Sequence, residues 1–235
     1  MSIKAVLFDL DGTLLPMDQD RFIKAYFGGL CKRMAPFGYE GKALVEGIWA
    51  GTAAMVKNTG EKRNEDVFWD AFAHVMGEGI RDRIPDFDAF YVEDFPSVSA
   101  SCGYNENAAR VIARVRERGL RPVLATNPIF PGIATENRIR WAGLSPTDFE
   151  LYTTYENSCH CKPNLDYYRD ILKKTGLEAH ECAMVGNDVG EDMIAAQLGM
   201  RVFLLTDCLI NKKNEDISVY PHGGFDVLLD FIESL

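Results

Sequence analysis

The chain has 235 residues, with 47% hydrophobic and 26% charged residues, the make-up of a folded globular protein large enough for a core domain carrying an insertion. Its formal net charge of −10, from 35 acidic and 25 basic residues, opposes nucleic-acid backbones and anionic lipid, so neither is expected as a partner. A small anionic ligand is not opposed, because a few donors and a cation reverse the field inside a cleft. The opening MSIKAVLFDLDGTLL breaks its apolar run with Asp9 and Asp11, which predicts neither a signal peptide nor a membrane span. Six scattered cysteines (Cys31, Cys102, Cys159, Cys161, Cys182, Cys208) predict reduced thiols and a cytoplasmic location.

In chain order, the β-branched run 3–9 (IKAVLFD) predicts a buried strand. From 17 to 95 no strand pattern follows. Helical patterns cover roughly 18–34, 40–58, 64–77 and 86–94, punctuated by glycines and prolines. Beyond them a helix over 105–119 precedes a strand over 121–127, a helix over 164–176 precedes a strand over 182–188, and a helix over 191–199 precedes a strand over 201–207. Each of these helices ends at a glycine. The alternation predicts an α/β fold: a Rossmann-like doubly wound parallel sheet with an inserted all-helical cap. The expected core is 1–16 and 96–235 and the expected cap 17–95, with hinges at 14–17 and 95–101. In such sheets ligands lie outside the carboxyl ends of the strands.

Polar clusters fall at those ends. Asp9 and Asp11 alternate on an extended chain and can face one cleft, after which Gly12 lets the backbone turn. Two such carboxylates suit a metal site, or a nucleophile with an acid/base neighbour; an ordinary acidic turn would look similar. Thr126 and Asn127 offer a hydroxyl and an amide to an oxyanion such as a phosphoryl group, or simply end a strand before Pro128. Lys162, before Pro163, is either a surface charge or the cation that offsets clustered carboxylates. Gly186-Asn187-Asp188, with Asp192 four residues on, supplies oxygen ligands suited to Mg²⁺ or caps a helix with favourable acidic residues.

Together, strand-DxDGT, strand-TN, Lys-Pro and strand-GND-x3-D resemble the four motifs of the haloacid dehalogenase-like (HAD) hydrolase superfamily. The resemblance spans the whole chain, in order and with the helical insertion after the first motif. It implies a phosphatase in which Asp9 attacks phosphorus and Asp11 serves as general acid, then base. Mg²⁺ would be held by Asp9, the Asp11 carbonyl and Asp188, with Asp192 an outer ligand. Thr126 and Asn127 would bind the phosphoryl oxygens, and Lys162 would steady nucleophile and phosphate. Dehalogenases of this superfamily lack an aspartate at the position of Asp11, and phosphonatases carry a small residue there. One departure is that Asn187 stands where the usual first aspartate of the fourth motif follows the glycine. Anchoring on Asp188 and Asp192 leaves the next helix one residue short; anchoring on the glycine puts Asn187 and Glu191 at the metal positions instead.

The implied substrate is a small phosphorylated metabolite, turned over by a monomer or homodimer. Two alternatives stay open: a phosphomutase of the same superfamily, and a non-catalytic ligand-binding member. Cys159-His160-Cys161 lacks a second ligand pair at zinc spacing and reads as a structural loop. The cap aromatics Phe22, Tyr26, Phe27, Trp49, Phe68, Trp69 and Phe72 fall at helical spacings and read mostly as cap core. Lys24, Lys32, Arg33 and Lys57 are candidates for meeting a second anionic group, with a solvated helix face as the plainer reading.

Overall fold

A computed structural model describes residues 2–235; Met1, the first residue of the expected core, lies outside the described residues. The β-branched runs form strands: β1 (Ala5–Phe8), β2 (Arg121–Leu124), β3 (Leu151–Tyr152), β4 (Cys182–Gly186), β5 (Arg201–Leu205) and β6 (His222–Gly223). They pair in parallel, in the order β3-β2-β1-β4-β5-β6. Strand order reverses between β1 and β4, and that reversal opens the ligand crevice of an open α/β sheet.

Alternate residues of each strand serve opposite faces. Val6, Phe8, Val185 and Phe203 join α5 (Asn107–Glu117) and α8 (Phe225–Glu233) in one core. Ala5, Leu7, Met184 and Leu204 join α7 (Leu165–Thr175) in the other. The sheet is therefore covered on both sides, as the unbroken apolar runs require. Helix α6 (Gly132–Trp141) follows β2.

Between β1 and β2 the chain is helical: α1 (Gln19–Met34), α2 (Gly41–Val56), α3 (Asn64–Met76) and α4 (Ile84–Ala89), then a π turn over Phe90–Asp94 and a 3-10 segment over Phe95–Ser101. Phe22, Tyr26, Leu30 and Met34 recur every fourth residue on α1 and are buried, so one stripe faces inward. They pack with Leu44, Ile48, Trp69, Phe72, Phe90 and Phe95 into a third core, which also takes in Ala134 of α6. The two connections run side by side, with Gly103 N–H donating to the Pro16 carbonyl at 2.8 Å.

One expected helix changes character. Over 191–199 the chain forms a short 3-10 helix, Met193–Leu198. This helix ends at the left-handed Gly199 (φ +92°) through tight i→i+3 bonds, such as Gly199 N–H to the Ala196 carbonyl at 3.0 Å. Among the described residues no helix is long and apolar enough to cross a membrane.

Candidate active site

A cavity of about 360 Å³ lies at the β1/β4 reversal, bounded below by strand ends and above by the helical insertion. Asp9 leaves β1 with its N–H bonded to the Val185 carbonyl at 2.9 Å, so β4 sets where the carboxylate emerges. Gly12 then takes φ +88°, and a Cβ there would stand 2.3 Å from Asn187 Nδ2. Only glycine allows this turn against the β4 loop. The Thr13 hydroxyl lies 3.3 Å from Asp9 Oδ2 and 3.0 Å from Asn187 Oδ1, donating between them.

Lys162 is the electrostatic centre. Its Nζ donates to Asp9 Oδ1 at 2.8 Å and to Asp192 Oδ1 at 2.6 Å, and the side chain is 1% exposed. Burial alone would pull the ammonium down, but Asp192 and Asp9 outweigh it and hold it well above its usual range. Burial pushes Asp192 up to about 7 against the opposing pull of Lys162. Asp192 also accepts the Asp188 N–H at 3.0 Å. It fits there because residue 186 is glycine: a Cβ would meet the Asp192 carboxylate at 2.1 Å.

Asp11 faces a partner that motif reading missed. Arg138, on α6 and fully buried, ion-pairs with Asp11 Oδ2 through Nη1. Its guanidinium stacks 4.5 Å from the Phe130 ring centroid and donates to the Ala134 carbonyl and Thr135 hydroxyl, each at 3.3 Å. The other oxygen, Asp11 Oδ1, is buried with no hydrogen-bond partner. Burial pushes the Asp11 carboxyl up, and the charge of Asp9 adds to this. Arg138 opposes both without cancelling them.

The remaining expected residues divide by what their side chains already do. Thr126, at the end of β2, is buried and lines the cavity, and its hydroxyl donates to no group among the described residues. Asn127 uses its amide on structure, accepting Lys162 N–H at 3.2 Å and donating to Glu191 Oε2 at 3.0 Å, which leaves its backbone N–H and one Nδ2 hydrogen for an oxyanion. Asp188 lines the cavity but uses Oδ1 to cap the next turn, accepting from Gly190 and Glu191 N–H at 2.8 and 3.0 Å. Asn187 is fastened between Thr13 and the Cys208 carbonyl, the latter at 2.7 Å. Asp192 accepts from Lys162 Nζ through Oδ1 and from the Asp188 N–H through Oδ2, so each oxygen already has one structural partner.

Among the described residues no three carboxylate, histidine or cysteine side chains group as a metal cluster. The Cys159-His160-Cys161 loop is tied internally: His160 Nδ1 pairs with Asp170 at 2.7 Å, and Asn64 Nδ2 donates to Cys161 Sγ at 3.3 Å.

A family model of haloacid dehalogenase-like hydrolases matches residues 3–199. Among solved structures, a HAD phosphatase from Thermococcus onnurineus is 17% identical with a TM-score of 0.61, covering 98% of both chains. A predicted phosphoglycolate phosphatase from Haemophilus somnus 129PT is 15% identical with a TM-score of 0.60, again covering 98% of both. A 2-haloacid dehalogenase from Pseudomonas syringae pv. tomato DC3000 is 18% identical with a TM-score of 0.62, covering 99% of this chain and 98% of that one. No curated protein sequence matches the chain. At these identities the structures share the fold, with two chemistries among them, while the model match over most of the chain assigns the family: this protein belongs to the haloacid dehalogenase-like hydrolases.

Proposed function

We propose that this hydrolase cleaves a small phosphate monoester through an aspartyl-phosphate on Asp9. The observation that carries the reading is Asp11: a second carboxyl group, two residues from the first, with a buried oxygen that has no donor. Its carboxyl is raised by burial, so it is suited to holding a proton there. A dehalogenase has no use for such an acid, because a halide leaves without being protonated.

The steps balance with this chain's own residues. The Asp9 carboxylate attacks phosphorus, the phosphorus–oxygen bond of the ester breaks, and Asp11 gives its proton to the departing alcohol oxygen. Asp11, now a carboxylate, takes a proton from water as that water attacks phosphorus. The bond to Asp9 breaks and inorganic phosphate leaves. Lys162 fixes Asp9 by Oδ1 and leaves Oδ2 with only a long contact to Thr13. The unengaged Thr126 hydroxyl is placed to donate to the transferring oxygens. Arg138 orients Asp11 and limits how far its carboxyl rises.

The donor set fits Mg²⁺. Five carboxylates (Asp9, Asp11, Asp188, Glu191, Asp192) line the floor of the cavity, with Asp88 on the insertion side, against the buried cations Lys162 and Arg138, which leaves a negative surplus. Mg²⁺ is commonly held by one or two carboxylates plus waters and substrate oxygens, so Asp9, the Asp11 carbonyl and Asp188 suffice without a three-carboxylate cluster. Bound there, it would neutralise charge on the phosphoryl group.

The test is phosphate release from 4-nitrophenyl phosphate with and without Mg²⁺, wild type beside Asp9→Asn, with chloride release from 2-chloropropionate as the contrasting assay. Metal-dependent phosphate release lost in the variant is expected. Chloride release without phosphate release, or equal turnover by both proteins, would sink the proposal.

A further inference from the structure

The part of the cavity above the carboxylates differs in kind from its floor. Phe22, Phe27, Trp49, Phe68, Trp69 and Phe130 face it. The hydroxyls of Tyr26 and Tyr91, which also line it, are bonded to each other at 2.9 Å, and Thr52 donates to the Ile48 carbonyl at 2.9 Å. The exposed Gln19 amide at the mouth is the insertion's free polar side chain in the lining, so the ring-lined interior of the roof offers few free donors or acceptors to a ligand. Its charge is of one sign: Asp88 is the charged side chain that the insertion contributes to the lining. Glu65 and Asp88 are each raised by burial and by the nearby charge of Glu156, so acids already crowd this side. Lys24, Lys32, Arg33 and Lys57 stay out of the lining, and Arg33 is spent on Glu93 and Asp94. The lining's one lysine, Lys212, is exposed beside the β4 loop on the core side.

We propose that the natural substrate is a phosphomonoester whose leaving alcohol is uncharged and largely apolar, of the size of an arylalkyl or branched alkyl group, seated among these aromatic side chains. The proposal rests on the phosphohydrolase reading and names its substrate class. A second carboxylate or phosphate would enter a largely apolar space with the exposed Asp88 at its rim and no buried cation free to meet it. A sugar would bury hydroxyls against rings and leave them unpaired. Phosphoglycolate-like acids, bisphosphates and sugar phosphates are thereby disfavoured, and with the bisphosphates goes the activator that a phosphomutase needs. An apolar group gains from the same surface.

The experiment compares three esters of ordinary alcohols, so that leaving-group acidity does not decide the ranking: 2-phenylethyl phosphate, sn-glycerol 3-phosphate and 2-phosphoglycolate, each with Mg²⁺ and the full chain. A kcat/KM for the phenylethyl ester at least about tenfold above both others is expected. Trp49→Ala, at a half-exposed position, should raise its KM about tenfold with kcat changed far less. Equal or faster turnover of glycerol phosphate or phosphoglycolate overturns the substrate class and leaves the phosphohydrolase reading standing. If no ester is hydrolysed that reading fails, and tryptophan fluorescence titration of the same protein decides the cavity. Tighter binding of 2-phenylethyl phosphate than of 2-phosphoglycolate, weakened by Trp49→Ala, supports an apolar site, and equal or weaker binding overturns it.

Discussion

The floor of the cavity and the ring cluster that roofs it are stabilised by different means. At the floor, Lys162 and Arg138 are each about 1% exposed and each is matched to carboxylates, so removing one partner strands a charge. At the roof, rings pack edge to face, as Tyr26 does on Phe90 at 5.9 Å between centroids and Phe22 on Phe95 at 6.3 Å. There a lost group costs contact area and cavity space. The floor is thus unforgiving of substitution because its charges depend on one another. The roof tolerates graded change, and that is where substrate preference can drift without loss of the chemistry.

The largest break in this comparison is Asp9→Asn, which is expected to cut phosphate release by at least about 10³-fold while urea unfolding still reports a folded protein. Lys162→Met comes next: Asp9 and Asp192 lose their shared cation, and a loss of about 3–5 kcal/mol is expected by denaturant unfolding. Adding Asp192→Asn should recover part of it. Arg138→Met strands Asp11 and should cost about 3 kcal/mol, with Asp11→Asn in the same chain restoring most of that through their coupling. Additive losses from these two changes would mean that the pair carries no stability. Gly186→Ala places a methyl against the Asp192 carboxylate and should cost about 1–3 kcal/mol in the same measurement. At the roof, Trp49 is 47% exposed, so Trp49→Ala should move stability by no more than about 0.5 kcal/mol, its effect confined to substrate binding.

How far the sequence was legible follows the same division. Asp9, Asp11, Thr126 and Asp188 stand out because they interrupt or end apolar runs, and a parallel sheet brings strand ends together. Lys162 was readable only in the company of the others, as it follows no strand. What motif spacing could not convey was which oxygens already have partners: Asp192 accepts from Lys162 and from the Asp188 N–H, contacts that spacing does not reveal. Arg138 had a signal of its own. It lies four residues from both Ala134 and Ala142, two buried positions of one face, and a charge inside such a stripe calls for a buried partner. That face also holds Thr135, so α6 lacks a clean apolar stripe. β3 and β6, at two residues each, are too short for periodicity to register. α8, by contrast, shows Phe225, Leu228 and Ile232 at helical spacing and was open to reading.

Whether Asp9 takes the phosphoryl group is decided by an acid-quenched single turnover. The enzyme is mixed with a stoichiometric amount of 4-nitrophenyl phosphate and Mg²⁺, quenched during turnover, and the peptide carrying Asp9 is analysed by mass spectrometry. A transient phosphoryl adduct on Asp9 that decays as inorganic phosphate appears is expected. Full consumption of the ester with Asp9 unmodified throughout, or with the adduct on another residue, would contradict it.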